Sequence, residues 1–458
     1  MANEAYIGVN GVARRVKDGY IGVNGVAKKI KSAYVGVDGV AKLCWNSVPL
    51  PYLSFIGNEN FTLKTYNNLK NWDGKLEYST DTTTWNTWAG NEVSSSDSKL
   101  YLRGTGNTKI TGDSADYRFV FTGSNSLKIA CEGNIESLLD CKTVSVGEHP
   151  IMKMYCYEYM FYGCTSLITA PELPATTLKA CCYKYMFYNC TSLIRAPELP
   201  ATTLIYHCYE RMFFGCASLI TAPALPATIL DESCYHSMFA RCTSLTTAPE
   251  LPATTMAGFC YSGMFAGCTS LITAPELPAT TLIGSCYRSM FSNCTSLETA
   301  PELPATTLGW YCYEQMFYGC TSLKTAPALP ATTLDNYCYQ YMFYNCTSLI
   351  RAPELSATAL ADYCYSHMFQ GCTALTTIPA LPATTLKPFC YSQMFYNCTL
   401  INLSTSLIGN YNTPYRIPVF GNGTTASSAL TKMFTGTGGT FTGAPSINTT
   451  YYTSNTVV

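Results

Sequence analysis

A 26-residue unit that repeats ten times constrains this chain more than any other feature of its sequence. Each unit follows, with few substitutions, the pattern Cys-Tyr-x-x-Met-Phe-x-x-Cys-Thr-Ser-Leu-x-x-Ala-Pro-x-Leu-Pro-Ala-Thr-Thr-Leu. A unit this short cannot bury its apolar side chains alone, so a fixed period of this length predicts a stacked solenoid. The leading cysteines, which number the ten rungs, are Cys156, Cys182, Cys208, Cys234, Cys260, Cys286, Cys312, Cys338, Cys364 and Cys390.

The spacing inside one unit predicts its local structure. Cys156, Met160 and Cys164 recur at i, i+4 and i+8, which predicts the inner stripe of a helix of two to three turns. The residue before the second cysteine is Gly or Asn in nine of ten units, which favours a left-handed helix end there. Two prolines then restrict the segment from Leu167 to Leu173 to a short strand. The predicted fold class is an α/β solenoid, leucine-rich-repeat-like, with one short helix and one short parallel strand per 26-residue repeat and an N-terminal all-β region.

The repeat also resembles a known family. Met-Phe-x-x-Cys-Thr-Ser-Leu followed by a strand punctuated by prolines is similar to the BspA-type leucine-rich repeat, the 26-residue repeat of bacterial surface proteins. The resemblance extends from Cys156 to Cys398. It implies a noncatalytic surface or adhesion protein.

A second, shorter repeat occupies residues 1–46. Tyr-Ile-Gly-Val-Asn-Gly-Val-Ala begins at Tyr6 and returns in related form at Tyr20 and Tyr34. Its Asn-Gly or Asp-Gly dipeptides predict three β-hairpins, because both turn positions need a positive φ. Its Lys and Arg side chains either contact an anionic polymer or protect exposed strand edges. The segment resembles N-terminal repeats of phage and prophage structural proteins, which implies a virion attachment region.

The remaining segments are predicted to cover the ends of the solenoid. Residues 47–140 contain short alternating strands and are predicted to form a β-sandwich-like N-terminal cap. Its Trp72, Trp85 and Trp88 either pack in the cap or stack on sugar rings. The ten-repeat solenoid is assigned to 141–400, and residues 401–458 to a C-terminal cap.

Composition excludes several classes of function. Only 12% of residues are charged and the net charge is −1, so no nucleic-acid partner is expected. No apolar run of 18 residues occurs and the start is polar, so neither a membrane span nor an exported leader is expected. Twenty of the 24 cysteines stand in two repeat columns, either as buried thiols or as disulfides between neighbouring rungs. Their seven-residue gap and the four histidines argue against zinc.

Candidate chemistry is limited to one acidic column. No nucleophile, phosphate loop or metal cluster recurs in register, so no enzyme activity, cofactor or metal is predicted. One acidic position repeats along the solenoid, and its carboxylates are either solvated or bridged by calcium. This glutamate column consists of Glu172, Glu198, Glu250, Glu276, Glu302 and Glu354.

The positions that vary between units predict a recognition surface. They lie on the predicted helix and on the loop entering it, and they are rich in aromatic residues, which favours binding of a glycan or protein over neutral drift. The candidate ligand-binding residues are Tyr159, Tyr185, Tyr206, Arg211, Trp310, Tyr311, Tyr337, Tyr341, Tyr363 and Phe389.

Together these features predict a noncatalytic bacteriophage virion protein of fibre or decoration type. Residues 1–46 would contact other virion proteins, the solenoid would face a host-surface glycan or protein, and the protein would form a homo-oligomer. The alternative is a bacterial cell-surface adhesin that carries the same leucine-rich repeat solenoid.

Overall fold

The computed structural model describes residues 51–418, 428–447 and 449–458, and the backbone of six strands between residues 6 and 46. These six strands pair in sequence as three antiparallel hairpins. The predicted turn dipeptides, and all side chains of residues 1–46, lie outside the described part. The strands are β1 (Tyr6–Val9), β2 (Val12–Arg15), β3 (Tyr20–Val23), β4 (Val26–Lys29), β5 (Ser32–Val37) and β6 (Val40–Asn46).

Residues 51–139 form two small sheets. One three-stranded sheet has the order β11-β8-β13, and a larger sheet has the order β10-β9-β12-β7-β14-β15. The last strand of the larger sheet, β15 (Leu167–Thr169), belongs to the first rung and pairs parallel with β14. The cap and the solenoid therefore share one sheet. The strands of the cap are β7 (Leu53–Gly57), β8 (Thr62–Thr65), β9 (Lys75–Ser79), β10 (Asn86–Trp88), β11 (Val93–Ser94), β12 (Lys99–Thr105), β13 (Phe119–Thr122) and β14 (Ile129–Glu132).

Two of the three cap tryptophans fill its core. Trp72 and Trp88 are buried and stack at a ring-centroid distance of 5.2 Å, and Trp88 meets Phe119 edge to face at 5.4 Å. Trp85 is only partly buried, and the Arg103 guanidinium lies 4.1 Å from its ring centroid. The structure therefore favours the packing hypothesis for Trp72 and Trp88. The single described α-helix between the cap and the repeats is α1 (Ser137–Ser145), which is kinked at Asp140.

The predicted helix of each repeat is wrong. The segment from Tyr155 to Cys164, and its equivalent in every described rung, is a series of consecutive turns. Its backbone is left-handed at every fourth residue, with φ of 59° at Tyr155, 61° at Tyr159 and 73° at Gly163. All ten rungs repeat these three left-handed positions. A right-handed α-helix cannot continue through residues with positive φ, so this segment of each rung forms consecutive turns instead of a helix.

Alternate amides of this turn segment bond to the next rung instead of along a helix. Tyr157 N donates to Cys182 O at 2.9 Å, and Phe161 N donates to Met186 O at the same distance. The intervening amides close i to i−3 turns, as Met160 N does with Tyr157 O at 3.2 Å. Every rung is therefore fixed to its neighbour by backbone hydrogen bonds on its turn side.

The predicted strand from Leu167 to Leu173 is shorter than expected. In the first rung the strand spans three residues, Leu167–Thr169. In most of the following rungs only a single parallel bridge forms, at the position equivalent to Thr169. The prolines limit it because they donate no amide hydrogen. A second parallel ladder, which the sequence did not predict, uses the Thr-Leu end of the unit. Its strands are β16 (Thr203–Leu204), β17 (Ile229–Leu230), β18 (Thr255–Met256), β19 (Thr281–Leu282) and β20 (Thr307–Leu308).

The interior of the solenoid consists of uninterrupted columns of like residues. Phenylalanines equivalent to Phe161 stack at ring-centroid distances of 5.5–5.9 Å, with planes within 7° of parallel. Tyrosines equivalent to Tyr157 form a second buried column at 5.6–5.9 Å. Methionine, leucine and both cysteine columns complete the core and are buried throughout. The prediction that the cysteine columns face inward is confirmed.

The two ends of the solenoid have opposite hydrogen-bonding needs, and the caps meet them. The first rung has carbonyls that no preceding rung uses, and Ile110 N and Phe119 N of the cap donate to Cys156 O and Met160 O. The last rung has free amides, and Tyr391 N donates to Ala429 O in the C-terminal segment.

The C-terminal segment also continues the apolar core. Phe434 stacks on Phe395 at 5.4 Å, and the Tyr415 hydroxyl donates to Pro379 O at 3.0 Å. This segment therefore contributes an incomplete eleventh rung. The remaining strands belong to the ninth rung (β21) and to the chain that follows the tenth. They are β21 (Thr377–Ile378), β22 (Asn402–Leu403), β23 (Thr413–Arg416), β24 (Gly438–Gly439), β25 (Thr450–Thr453) and β26 (Thr456–Val457).

The left-handed turns predict a position-specific cost for adding a side chain. Gly163 has a φ of 73° and an added methyl would meet nothing within 4 Å, so Gly163→Ala should lower the free energy of unfolding by about 1–2 kcal/mol through the backbone alone. Gly258 lies on the same side of the solenoid without a positive φ, and an added methyl would meet only Gly284 O at 3.4 Å. Urea unfolding of Gly258→Ala should therefore show little change. Equal destabilisation by both substitutions would contradict the assigned turn geometry.

Candidate functional site

The positions that vary between rungs line one side of the solenoid, here called the turn face. In the first rung it comprises Tyr155, Glu158, Tyr159 and Tyr162, which alternate with the buried core positions of the turn segment. The same positions in later rungs lie directly beside these, because the inter-rung hydrogen bonds keep all rungs in register. The variable side chains therefore form columns along the solenoid.

The structure divides the ten predicted ligand-binding residues between two clusters on this side. The N-terminal cluster, in rungs 1–3, contains Tyr159, Tyr185, Tyr206 and Arg211. The C-terminal cluster belongs to rungs 7–10 and contains the other six. These are Trp310, Tyr311, Tyr337, Tyr341, Tyr363 and Phe389.

Rungs 4–6 separate the clusters with small side chains. Where rung 1 has Tyr159, these rungs have Ser237, Gly263 and Ser289. Where rung 1 has Tyr162, they have two alanines and a serine. The Trp310 ring, in rung 7, extends toward rung 5, where it packs edge to face on Phe259 with 5.8 Å between the ring centroids. The predicted residues thus do not form one continuous patch.

The aromatic rings of both clusters stack on each other from rung to rung. Tyr159 and Tyr185 are 4.9 Å apart between ring centroids, and Tyr311 and Tyr337 are 4.4 Å apart, with planes within 6° of parallel. A ring between two such neighbours has both faces covered. It presents only its edge and, for tyrosine, its hydroxyl to solvent. The interior of these ladders therefore cannot offer the exposed ring face that stacking on a sugar requires.

A column of ionisable residues, which the sequence-based site prediction missed, supports the N-terminal cluster. In rungs 1–4 it runs Glu158, Lys184, Glu210 and His236. Glu158 and Glu210 are 4% and 6% exposed, so both carboxylates are largely desolvated. Lys184 Nζ lies 3.0 Å from Glu210 Oε2. Aligning the units at their 26-residue period would have revealed this alternation of acid and base.

Two further basic side chains lie close to the Glu210 carboxylate. His207 Nδ1 lies 2.5 Å from Glu210 Oε2, and Arg211 Nη1 lies 4.0 Å from Glu210 Oε1. Arg211 Nη1 also donates to the Tyr185 hydroxyl at 2.8 Å. This network orients the predicted residues Arg211 and Tyr185 and fixes the charge pattern of the N-terminal cluster. A second pair, between the partly exposed Arg288 and the buried Glu314, occupies the same column near the C-terminal cluster.

Burial shifts the protonation equilibria of this column in opposite directions. Desolvation raises the pKa of Glu158 to about 8 and lowers the pKa of His236 to about 4. Each side chain therefore favours its neutral form near neutral pH. Glu158 Oε2 is buried without a hydrogen-bond partner, consistent with an unsatisfied carboxyl group at this end of the column.

The glutamate column lies elsewhere, on the proline-bracketed segment of each unit, and its members are exposed. Within the described residues no three His, Cys, Asp or Glu side chains come together as a potential metal site. Nothing in this part of the chain therefore supports the calcium alternative. The described residues also contain no helix of the length and apolar character that a bilayer crossing needs.

The second cysteine column forms a ladder of thiol hydrogen bonds. Cys190 Sγ donates to Phe161 O at 3.0 Å, and the equivalent thiols contact the preceding phenylalanine carbonyl at 2.9–3.2 Å. A disulfide would remove the donor hydrogen from such a contact. Burial also raises the pKa of these thiols well above their usual range, as at Cys190 and Cys242. This geometry favours the buried-thiol alternative.

Alkylation tests the state of the cysteines. Without reductant, iodoacetamide should leave the twenty repeat cysteines of the native protein unmodified, because only the exposed thiolate reacts. After denaturation, still without reductant, mass spectrometry should find all 24 cysteines alkylated. Pairs of cysteines that react only after reduction would show that neighbouring rungs are cross-linked.

The raised pKa of Glu158 predicts a pH-dependent stability. Between its ordinary value of 4.5 and about 8, the unfolded chain ionises Glu158 while the folded protein keeps the proton. The contribution of this group to stability is therefore lost as pH rises through that window. Glu158→Gln should remove the loss, so its urea midpoint should gain on wild type as pH rises. Glu172→Gln, at an exposed glutamate, is the control; a pH-independent difference for Glu158→Gln would contradict the assignment.

Comparison with known proteins identifies the repeat. Residues 153–298, 232–349 and 287–412 match the BspA type leucine rich repeat region, in six copies, and together cover more than half of the 458 residues. No curated protein sequence and no solved structure matches the chain. The repeats suggest a surface or adhesin-type protein, and repeats of this type are generally nonenzymatic binding scaffolds. The chain belongs to the BspA-type leucine-rich repeat family.

Proposed function

We propose that this protein is a noncatalytic, adhesin-type surface protein that binds a protein partner through the N-terminal cluster of the turn face. Tyr159 and Tyr185 form a ladder beside Arg211, and the buried Glu210 carboxylate beneath them pairs with Lys184 and Arg211. Tyrosine and arginine dominate the binding energy of protein interfaces. A desolvated, charge-fixed patch of this kind fits the centre of such an interface.

The ring geometry supports a protein over a glycan as the partner of the ladders. Stacked rings present hydroxyls and edges, which can exchange hydrogen bonds and pack against side chains of a second protein. Sugar binding of the usual kind needs an open ring face instead. The glycan alternative for Tyr185, Tyr337 and Tyr363 is therefore disfavoured. Aromatic rings stack on both faces of Tyr337 and Tyr363, and Tyr185 lies between Tyr159 and the Arg211 guanidinium.

The backbone beneath the cluster supports binding with little loss of entropy. Tyr159 N donates to Lys184 O at 3.1 Å, and Tyr185 N donates to Glu210 O at 3.0 Å. The backbone of both tyrosines is thus held in place by a hydrogen bond to the next rung. Preorganised side chains lose little conformational freedom on association, so more of the contact energy appears as affinity.

A virion role remains a prediction from the 14-residue repeats. Three hairpins formed by residues 6–46 precede the cap, and they resemble attachment segments of phage structural proteins. Docking to other virion proteins, and homo-oligomer formation, would use this segment. Immunogold electron microscopy of purified phage particles should label their surface if this alternative is correct, and labelling confined to bacterial cells would reject it.

Substitution within one column tests the adhesin proposal. Asparagine tolerates the left-handed backbone, so Tyr159→Asn with Tyr185→Asn removes the ladder without straining the turns. Fluorescent full-length protein should bind bacterial or epithelial cells, as measured by flow cytometry. The double variant should bind at least about tenfold more weakly, because the central aromatic anchors are lost.

The matched control changes the same column where no aromatic residue stands. Gln315→Asn with Gln393→Asn should bind like wild type, since both positions have the same left-handed backbone. Treating the cells with protease should abolish binding of the wild-type protein. Binding that survives both protease and the tyrosine substitutions, or no binding to either cell type, would contradict the proposal.

A further inference from the structure

A cavity of about 630 Å³ lies at the junction between the cap and the first two rungs. One wall is the edge strand β13 with the loop that follows it, and the other consists of the Gly163–Ser166 segment and Thr191–Ser192. Its volume falls within the range of about 300–1,000 Å³ that is typical of small-ligand sites. The turn-face ladders and the ion-pair column play no part in this cavity, apart from one terminal ring.

The charge of the junction cavity is positive. Arg118 and Lys128 line it, and neither forms an ion pair with a carboxylate among the described residues. Lys128 Nζ donates only to Ser192 Oγ, at 2.7 Å, and Arg118 donates to Ala115 O at 2.8 Å. The carboxylate of Glu59 is not part of the described lining, and it accepts the amide of Ser124 at 2.8 Å. The cavity thus offers two cations to an anionic ligand.

Neutral polar groups supply most of the remaining lining. The lining also includes five residues that carry hydroxyls, namely Thr122, Ser124, Thr165, Ser166 and Thr191. Such groups both donate and accept hydrogen bonds, so together they suit a ligand that carries several hydroxyls of its own.

The aromatic group of the cavity is the end of a ladder. Tyr162 stacks on Tyr188 at 4.8 Å with one face, and its other face points away from the rungs toward Arg118, whose guanidinium carbon is 6.0 Å from the ring centroid. As the terminal ring, Tyr162 is the member of this column that no further rung covers. Tyr66 borders the same space, with Arg118 packed 3.5 Å from its ring centroid.

We propose that the junction cavity binds an acidic oligosaccharide. Arg118 and Lys128 contact its carboxylate or sulfate group, the hydroxyls of the lining bond to its sugar hydroxyls, and Tyr162, which also lines the cavity, packs against the apolar part of a sugar ring. This site uses different residues from the protein-binding cluster and goes beyond the proposed function. The partner on a cell surface would then be recognised twice, as protein and as acidic glycan.

Titration calorimetry of the full-length protein with defined probes tests this site. Sialyllactose presents a carboxylate, a heparin-derived tetrasaccharide presents sulfates, and lactose is the neutral comparison. At least one acidic probe should bind, and lactose should bind at least about tenfold more weakly, because it cannot use the two cations. The stronger acidic probe identifies the anionic group that the cavity prefers.

Arg118→Gln with Lys128→Gln should weaken binding of that probe by about tenfold or more. Lys128 is exposed, so Lys128→Gln alone keeps the test valid if the double variant unfolds. Arg351→Gln with Lys387→Gln, at exposed positions elsewhere on the solenoid, is the matched control. Binding of neither acidic probe, equal losses in both pairs, or tighter binding of a hexaglutamate peptide would overturn the proposal. None of these outcomes depends on the tyrosine ladders, so this test is independent of cell binding.

Discussion

The structure depends on the hydrogen bonds that the turn segment of each rung makes to the next rung. Tyr157, Tyr159 and Phe161 donate across to the second rung, and the same three positions do so along the whole repeat array. These bonds fix the spacing at which the Phe and Tyr columns stack, and the columns in turn exclude water from the bonds. Three left-handed residues per rung are the conformational cost of this arrangement. Each of these residues that is not glycine costs on the order of 1–2 kcal/mol, which the inter-rung bonds and the buried core offset.

The same bonds explain why the chain needs two different caps. A stack in which every rung donates forward leaves acceptors at one end and donors at the other. The N-terminal cap supplies Ile110 N and Phe119 N, whereas the C-terminal segment supplies the Ala429 and Met433 carbonyls. A single repeated cap could not serve both ends. The polarity of the backbone thus accounts for two unrelated flanking segments, and for the sheet that the cap shares with the first rung.

The sequence predicted the solenoid, its register and its core, because a strict 26-residue period leaves few other ways to bury the same residues. It did not predict the turns. Cys156, Met160 and Cys164 have helical spacing, but turns that repeat every four residues give the same inward stripe. The left-handed position before the second cysteine was visible as Gly or Asn. The other two are occupied by residues such as Tyr159 and Arg211, which give no such signal.

The candidate site was predicted in part for similar reasons. Residues that are 26 positions apart lie at the same place in neighbouring rungs. The sequence therefore predicts that Tyr311, Tyr337 and Tyr363 lie side by side. Which face of each ring remains open depends on side-chain geometry, and this changes the ligand class that the ladders favour. The buried Lys184–Glu210 pair needed a comparison of neighbouring units rather than of single motifs. The junction cavity needed the cap in place, which no repeat pattern describes.

Segment-resolved hydrogen–deuterium exchange of the native protein tests the central claim, that all ten rungs are joined by amide hydrogen bonds in one continuous stack. We predict slow exchange in the turn segment of every rung, including the small-residue rungs 4–6, and faster exchange in the Pro-Ala-Thr-Thr segments, where fewer amides are bonded. Rapid exchange in the turn segments of the central rungs, with protection only near the caps, would contradict it.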